Sequence, residues 1–373
     1  MGTPLAGSHP LKRALDEKRV LISVGSGGVG KTTVAASLAL CAALEGHKSL
    51  VCTIDPARRL ASSLGLAELG NSESGMSAEK LEAAGLPRST PLFAMMLDMK
   101  QTWDEFVEQH APPNRKERIL TNRFYQSLSS VLAGSQEYIA MEKLWQLRMH
   151  RDYRLIVLDT PPTAHALDFL DAPNRVLDLF DNDAAQWLLA PALTVGKFGL
   201  SLFNTGGGYI AKTLAKLTGA ETLQELADFM LAMGSMSESF RQRARQVRQV
   251  LKSQETAFVL VTQPSRERLE EAVHFHATLK QNDMPIAAVV VNRVSPRPTD
   301  GDWDAARRLP APLRTKVEAT LQEAHTAAAQ EASAIIELEG RCQPTPLVPL
   351  PRLSQDVHDL AGLRKLGEFL LGG

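Results

Sequence analysis

Cysteine is scarce: Cys41, Cys52 and Cys342 are the three in a chain of 373 residues. None sits in a CxxC pair, and an odd count builds no disulfide framework. The expected compartment is therefore a reducing cytoplasm. Charge of one sign is lacking too. Forty-one Lys and Arg stand against 42 Asp and Glu, for a formal net charge of -1. No global positive field draws the chain to nucleic acid, so no nucleic-acid partner is expected. Long apolar runs are missing as well. The greasiest stretch, Ala184–Phe203, is interrupted by Pro191 and Lys197, and what remains uncharged is too short to span a bilayer. The N-terminus has no apolar core of a secretory signal. Gly2 follows Met1, but Ala6 stands where a myristoylation motif wants Ser or Thr. Internal repeats and low-complexity tracts are absent.

What is there is apolar material, 44% of the residues, enough to bury a sizeable core. Arg19–Val24 is a short apolar run that ends in glycines, Val29–Leu44 reads as a helix closed by Gly46, and Ser49–Ile54 is a second run. That order is a βαβ unit. Further strands are predicted at Leu92–Leu97, Arg154–Leu158, Ala257–Val261, Ile286–Val291 and Leu347–Leu350. Continuous apolar strands of this kind belong to a parallel sheet covered by helices on both faces. Gln101–His150 and roughly Ala172–Ser253 carry no strand signal and read as helical. The predicted fold is thus α/β, a mostly parallel central sheet flanked by helices with an inserted helical subdomain. The core spans approximately 15–100, 151–172 and 254–373, and the insertion approximately 101–150 and 173–253. Ser295–Pro312, rich in Pro, Asp and Arg, is predicted to be a surface loop, and Arg314–Leu338 a long helix.

Gly25-Ser26-Gly27-Gly28-Val29-Gly30-Lys31-Thr32 matches G-x-x-x-x-G-K-[ST], between a predicted strand and a predicted helix. Glycines let the backbone wrap a phosphate chain closely, and the freed amides and the following helix end face the anion. Lys31 would set a point charge on the β/γ phosphates of ATP, and the Thr32 hydroxyl would ligate Mg²⁺. Thr33 completes the loop. Asp159 ends the strand Arg154–Leu158, where P-loop enzymes hold the Mg²⁺ water shell; a helix cap or turn is the plainer reading. Asp55 ends the strand before Pro56. It could orient the attacking water or cap the next helix.

Gly25–Thr33, Asp55-Pro56-Ala57 and Asp159-Thr160-Pro161-Pro162-Thr163-Ala164-His165, in that order, resemble the ArsA-type P-loop ATPases. That family holds the arsenite-pump ATPase and the ATPase of the guided-entry pathway, which targets tail-anchored membrane proteins. The resemblance runs from Arg19 to about Leu370, and the phrase Leu132–Tyr138 looks closest to bacterial members called anion-transporting ATPases. It implies that Asp55 positions the hydrolytic water in a first switch and that Asp159–His165 forms a second. It also implies that Asn292 reads the adenine ring and that Pro349-Leu350-Pro351 packs beside it. A strand-end turn and a proline loop are the plain alternatives for these two. A dimer follows from the resemblance, either of this chain with itself or with a related subunit.

Departures from the family pattern matter. A lysine that crosses to the partner's phosphates is usual where this chain has Ser26, and a hydroxyl supplies no positive charge. Arg58 or Arg59 is a candidate replacement. No CxxC pair follows Asn292, so no bridging zinc is expected. The cysteines do not resemble the metalloid-binding set. Cys41 and Cys52 read as core residues, and the nine histidines form no ligand constellation. Met230, Met233 and Met236, with Leu188, Leu189, Leu200, Leu202 and Phe203, could line a client groove or pack a helical core, with Gly206–Gly208 as a hinge. Arg241, Arg245, Arg248 and Lys252 share a helical face that reads as solvated. The expected role is an ATP-driven switch that handles a membrane-protein client or membrane partner. The alternatives are the catalytic subunit of an anion-efflux pump and a regulatory switch of the MinD type.

Overall fold

The computed structural model describes residues 9–55, 59–126, 135–161, 225, 229 and 237–372. Its strands are β1 (Val20–Val24), β2 (Ser49–Thr53), β3 (Ser74–Gly75), β4 (Leu92–Met96), β5 (Leu155–Asp159), β6 (Thr256–Thr262), β7 (Ile286–Val294) and β8 (Leu347–Pro351). They form one sheet in the order β3-β4-β2-β5-β1-β6-β7-β8. Every neighbouring pair is parallel except β3 with β4. The central strands β1, β2, β5 and β6 are buried along their whole length, as their unbroken apolar runs require. Prolines at 349 and 351 are tolerated because β8 is the sheet's edge and pairs with β7 alone.

The chain divides into two compact units. One takes in the described residues of 1–97, 147–166 and 250–373, and holds the sheet. Around it lie α1 (Pro10–Glu17), α2 (Lys31–Leu44), α3 (Arg59–Ser63), α4 (Ala78–Ala83), α9 (Arg266–Gln281), α10 (Asp300–Arg307), α11 (Ala311–Cys342) and α12 (Leu360–Leu370). The other unit takes in the described residues of 98–146 and 167–249. It is helical there, with α5 (Met99–His110), α6 (Lys116–Leu120) and most of α7 (Ser135–His150) and α8 (Ser237–Lys252). Within it Glu142 is fully buried 3.1 Å from Arg243, and the Tyr125 hydroxyl donates to Asp104 at 2.7 Å.

Helix α2 is buried around almost its whole circumference, because the sheet covers one side and α12 the other. The close approach depends on Gly367. A Cβ there would lie 2.2 Å from the Cys41 sulfur. The Ser37 hydroxyl crosses the same seam to the Leu363 carbonyl at 2.6 Å.

One predicted loop is a helix in part. Within Ser295–Pro312, α10 starts at a capping box: the Thr299 hydroxyl accepts from the Asp302 amide, and the Asp302 carboxylate accepts from the Thr299 amide. The long helix after it runs further than its Ala/Glu pattern indicated, over 32 residues. The arginine face on α8 is solvated as expected: Arg245 and Arg248 are exposed, and Lys252 pairs with Asp283 at 3.2 Å. The methionine and leucine cluster between 188 and 236, the Gly206–Gly208 hinge and residues 162–165 of the second switch lie outside the described residues.

Candidate functional site

The site is built on the carboxyl ends of adjacent strands, where the glycine turn leaves β1. Gly25, Gly28 and Gly30 all have positive φ, at 142°, 78° and 99°. Two of them are also needed for space. A Cβ on Gly25 would meet the Val261 carbonyl oxygen of β6 at 2.1 Å, and one on Gly30 would meet the Asn292 amide nitrogen at 2.3 Å. Lys31 opens α2 and is 6% exposed. Its ammonium folds back over the turn and donates to the carbonyls of Gly25 at 2.8 Å and Ser26 at 2.9 Å. Burial is the main reason its pKa falls to about 8, against the opposing pull of Asp159 and Asp55.

Register brings the carboxylates close. Asp159 sits beside Ser23 of β1 and Thr53 of β2. The Thr32 hydroxyl donates to Asp159 Oδ2 at 2.7 Å, and the Thr53 hydroxyl to the same oxygen at 2.8 Å. Asp159 is fully buried, and its other oxygen, Oδ1, has no hydrogen-bond partner among the described residues. Burial pushes its pKa up to about 6, with the two hydroxyls and Lys31 pulling the other way. Asp55 lies two residues past β2's Thr53, whose hydroxyl receives the Asp55 amide at 3.1 Å. Its carboxylate is 3.3 Å from Arg59.

The loop after β6 supports the turn from the other side. Gln263 donates to the Gly28 carbonyl at 3.2 Å. The Ser26 hydroxyl donates to Glu271 of α9, and Glu271 also pairs with Arg268 at 2.9 Å. Among the described residues, Arg59 and Arg268 are the cations whose charge lowers the Lys31 pKa. Arg58, the other candidate for the absent lysine's charge, lies outside the described residues with Pro56 and Ala57.

Asn292 comes to the turn through an irregularity in β7. The pairing with β8 shifts between Val291 and Val294, and Arg293 takes a φ of 62°. The Asn292 side chain donates to the Val29 carbonyl at 2.9 Å and accepts from the Arg293 amide at the same distance. A cavity of about 260 Å³ opens here, lined among others by Gly30, Thr33, Asn292, Pro351 and His358. Pro349 pairs with Val291 in the ladder, is exposed, and does not line this cavity.

Thr53, Gln263, Arg268 and Glu271 were not singled out in the sequence. Thr53 alone carried a local signal, a hydroxyl two residues before a strand-end carboxylate. The others approach only through the fold. Cys41, Cys52 and Cys342 are all buried, and burial pushes Cys41 up to about 12. Asp16, Glu45 and His47 bring ligand atoms within 4.8 Å of one another, but Lys12 already neutralises both carboxylates. Among the described residues, no helix is long and apolar enough to cross a membrane.

The family model described as anion-transporting ATPase matches residues 18–372. Among curated proteins, the ATPase GET3 of Malassezia globosa is 25% identical over 365 residues, 97% of this chain and 94% of its own length. The ATPase GET3C of Arabidopsis thaliana is 24% identical over 310 residues, 76% of this chain and 69% of its own. A protein named as an arsenical pump-driving ATPase in Aquifex aeolicus is 21% identical over 369 residues, 95% of this chain and 79% of its own.

Proposed function

The chain belongs to the ArsA family of anion-transporting ATPases, and from that premise we propose that Gly25–Thr33 receives the triphosphate of ATP. The reaction is ATP hydrolysis. The observation that carries the site assignment is the convergence of the Thr32 and Thr53 hydroxyls on one buried carboxylate, Asp159, beside a folded-back Lys31. In this reading Lys31 trades the Gly25 and Ser26 carbonyls for phosphate oxygens. Thr32 and Asp159 would hold Mg²⁺, Asp159 by way of a water. Both offer the hard oxygen donors that ion takes, and the partnerless Oδ1 of Asp159 fits such a role. Bound there, Mg²⁺ would draw charge from the phosphate oxygens. Asp55 orients the attacking water, and Asn292 with Pro351 holds the nucleoside. Catalysis then comes from position and charge, with no covalent step.

The wider role we infer is that of a cytosolic dimer that couples turnover to an apolar client or membrane partner through the helical segments near 101–150 and 173–253. Relatives named GET3, one of them matched along nearly its whole length, support this reading. The relative named for an arsenical pump supports a second reading, the catalytic subunit of an efflux pump. Against a metalloid trigger stands the burial of all three cysteines.

Calorimetry with Mg²⁺ and ATP tests the site. Wild type is expected to bind, and Lys31→Ala to lose roughly a hundredfold or more in affinity. Equal affinity in the two would end the assignment. A pull-down with Asp55→Asn, expected to bind ATP without hydrolysing it, separates the roles. Membrane-protein segments support the first reading, and an integral pump the second.

A further inference from the structure

We infer that Arg268 is a phosphate ligand of the ATPase site, held aside by Glu271 and transferred to the β/γ end of ATP on binding. The inference rests on the assignment of Gly25–Thr33 to the triphosphate. Three observations lead to it. First, Ser26 marks the β/γ end of the turn, because the Lys31 ammonium, the group that serves those phosphates, already sits 2.9 Å from the Ser26 carbonyl. Second, the Ser26 hydroxyl donates to Glu271 Oε2, and that same oxygen lies 2.9 Å from Arg268. A carboxylate at this place repels a triphosphate unless a cation accompanies it. Third, α9 is fastened at the right height. Gln263 donates to the Gly28 carbonyl at 3.2 Å, and the Thr262 hydroxyl donates to the Arg268 carbonyl at 2.9 Å.

The exchange is favourable on chemical grounds. The side chains of Arg268 and Glu271 are 34% and 43% exposed, so water screens their pairing. A guanidinium on a phosphate makes two parallel charge-assisted hydrogen bonds. Among the described residues, Arg59 is the other cation near Lys31, and moving it would strip the charge partner from Asp55, the carboxylate assigned to the water. Arg268 therefore supplies, from within the same chain, a positive charge that Ser26 lacks.

The full-length protein is assayed for turnover and, by calorimetry, for ATP and ADP binding with Mg²⁺. Arg268→Gln is expected to cut turnover roughly tenfold or more and to weaken ATP more than ADP. Arg268→Lys is expected to recover part of both losses. Glu271→Gln keeps an acceptor for Ser26 but drops the competing charge, so ATP should bind roughly threefold tighter. Turnover of Arg268→Gln within twofold of wild type overturns the inference, and so does weaker ATP binding by Glu271→Gln. Should Arg268→Gln not fold, Glu271→Gln decides alone. Unchanged ATP binding in Lys31→Ala would instead remove the triphosphate assignment itself. Its loss there, with Arg268→Gln unaltered, removes only the role of Arg268.

Discussion

At the scale of single residues, the site holds two ionisable groups displaced toward neutral pH. With its pKa near 8, Lys31 is half protonated at pH 8 in the free protein. A triphosphate favours the ammonium, so binding near pH 8 should take up a fraction of a proton, and affinity should fall as pH rises above that value. Calorimetry in two buffers of different ionisation enthalpy reads the uptake; none at pH 8 would contradict the role of Lys31. Asp159 is displaced the other way, from an ordinary 3.8 to about 6. Keeping it ionised in the fold is a cost that applies fully above pH 6 and vanishes below about 4. Asp159→Asn is therefore expected to stabilise the nucleotide-free protein by roughly 1–3 kcal/mol at pH 7, while abolishing Mg²⁺-dependent turnover. Melts across pH 4–7 should show the two curves converging as pH falls. The glycine turn and both strand-end aspartates were legible in the sequence, because phosphate binding dictates residue types at fixed spacing. The Ser26–Glu271 contact was not, since 245 residues separate the partners.

At the scale of elements, burial decided what could be read. β1, β2, β5 and β6 announce themselves because both faces are covered and every position except the strand-end Asp159 is apolar or small. β3 has two exposed residues and no pattern to find. α10 was hidden by its composition. Its Asp and Arg residues suggest a loop, while the Thr299 and Asp302 pair that starts the helix needs only four residues. The α2–α12 seam was invisible too, because a glycine mid-helix reads as a weakness. Its reason is the Cys41 sulfur on the other side. Gly367→Ala would gain about 1 kcal/mol of helix propensity but meet an overpacking penalty of about 1–3 kcal/mol. The penalty should win, and thermal melts should place the variant below wild type. Adding Cys41→Ala, which vacates the space, should recover most of the loss. A variant more stable than wild type would refute the account of the seam.

At the scale of the whole molecule, the sequence pointed to the family, and the match over residues 18–372 bears that out. The oligomer and the client are proposals, and the segment that would meet a client falls mainly outside the described residues. The dimer has a direct measurement. Light scattering on Asp55→Asn with Mg²⁺ and ATP should give twice the monomer mass. A monomer at every protein concentration would oppose both the homodimer and a role that depends on it.

The β7 irregularity has a reach beyond its own strand. Asn292 faces the small cavity with one side and grips the Val29 peptide with the other, so a base drawing on that amide also tugs on the glycine turn. In the proposed binding mode, two remote ends of one ligand would thereby be yoked. Adenosine should change the grip on inorganic phosphate, and phosphate should change the grip on adenosine by the same factor, because linkage is reciprocal.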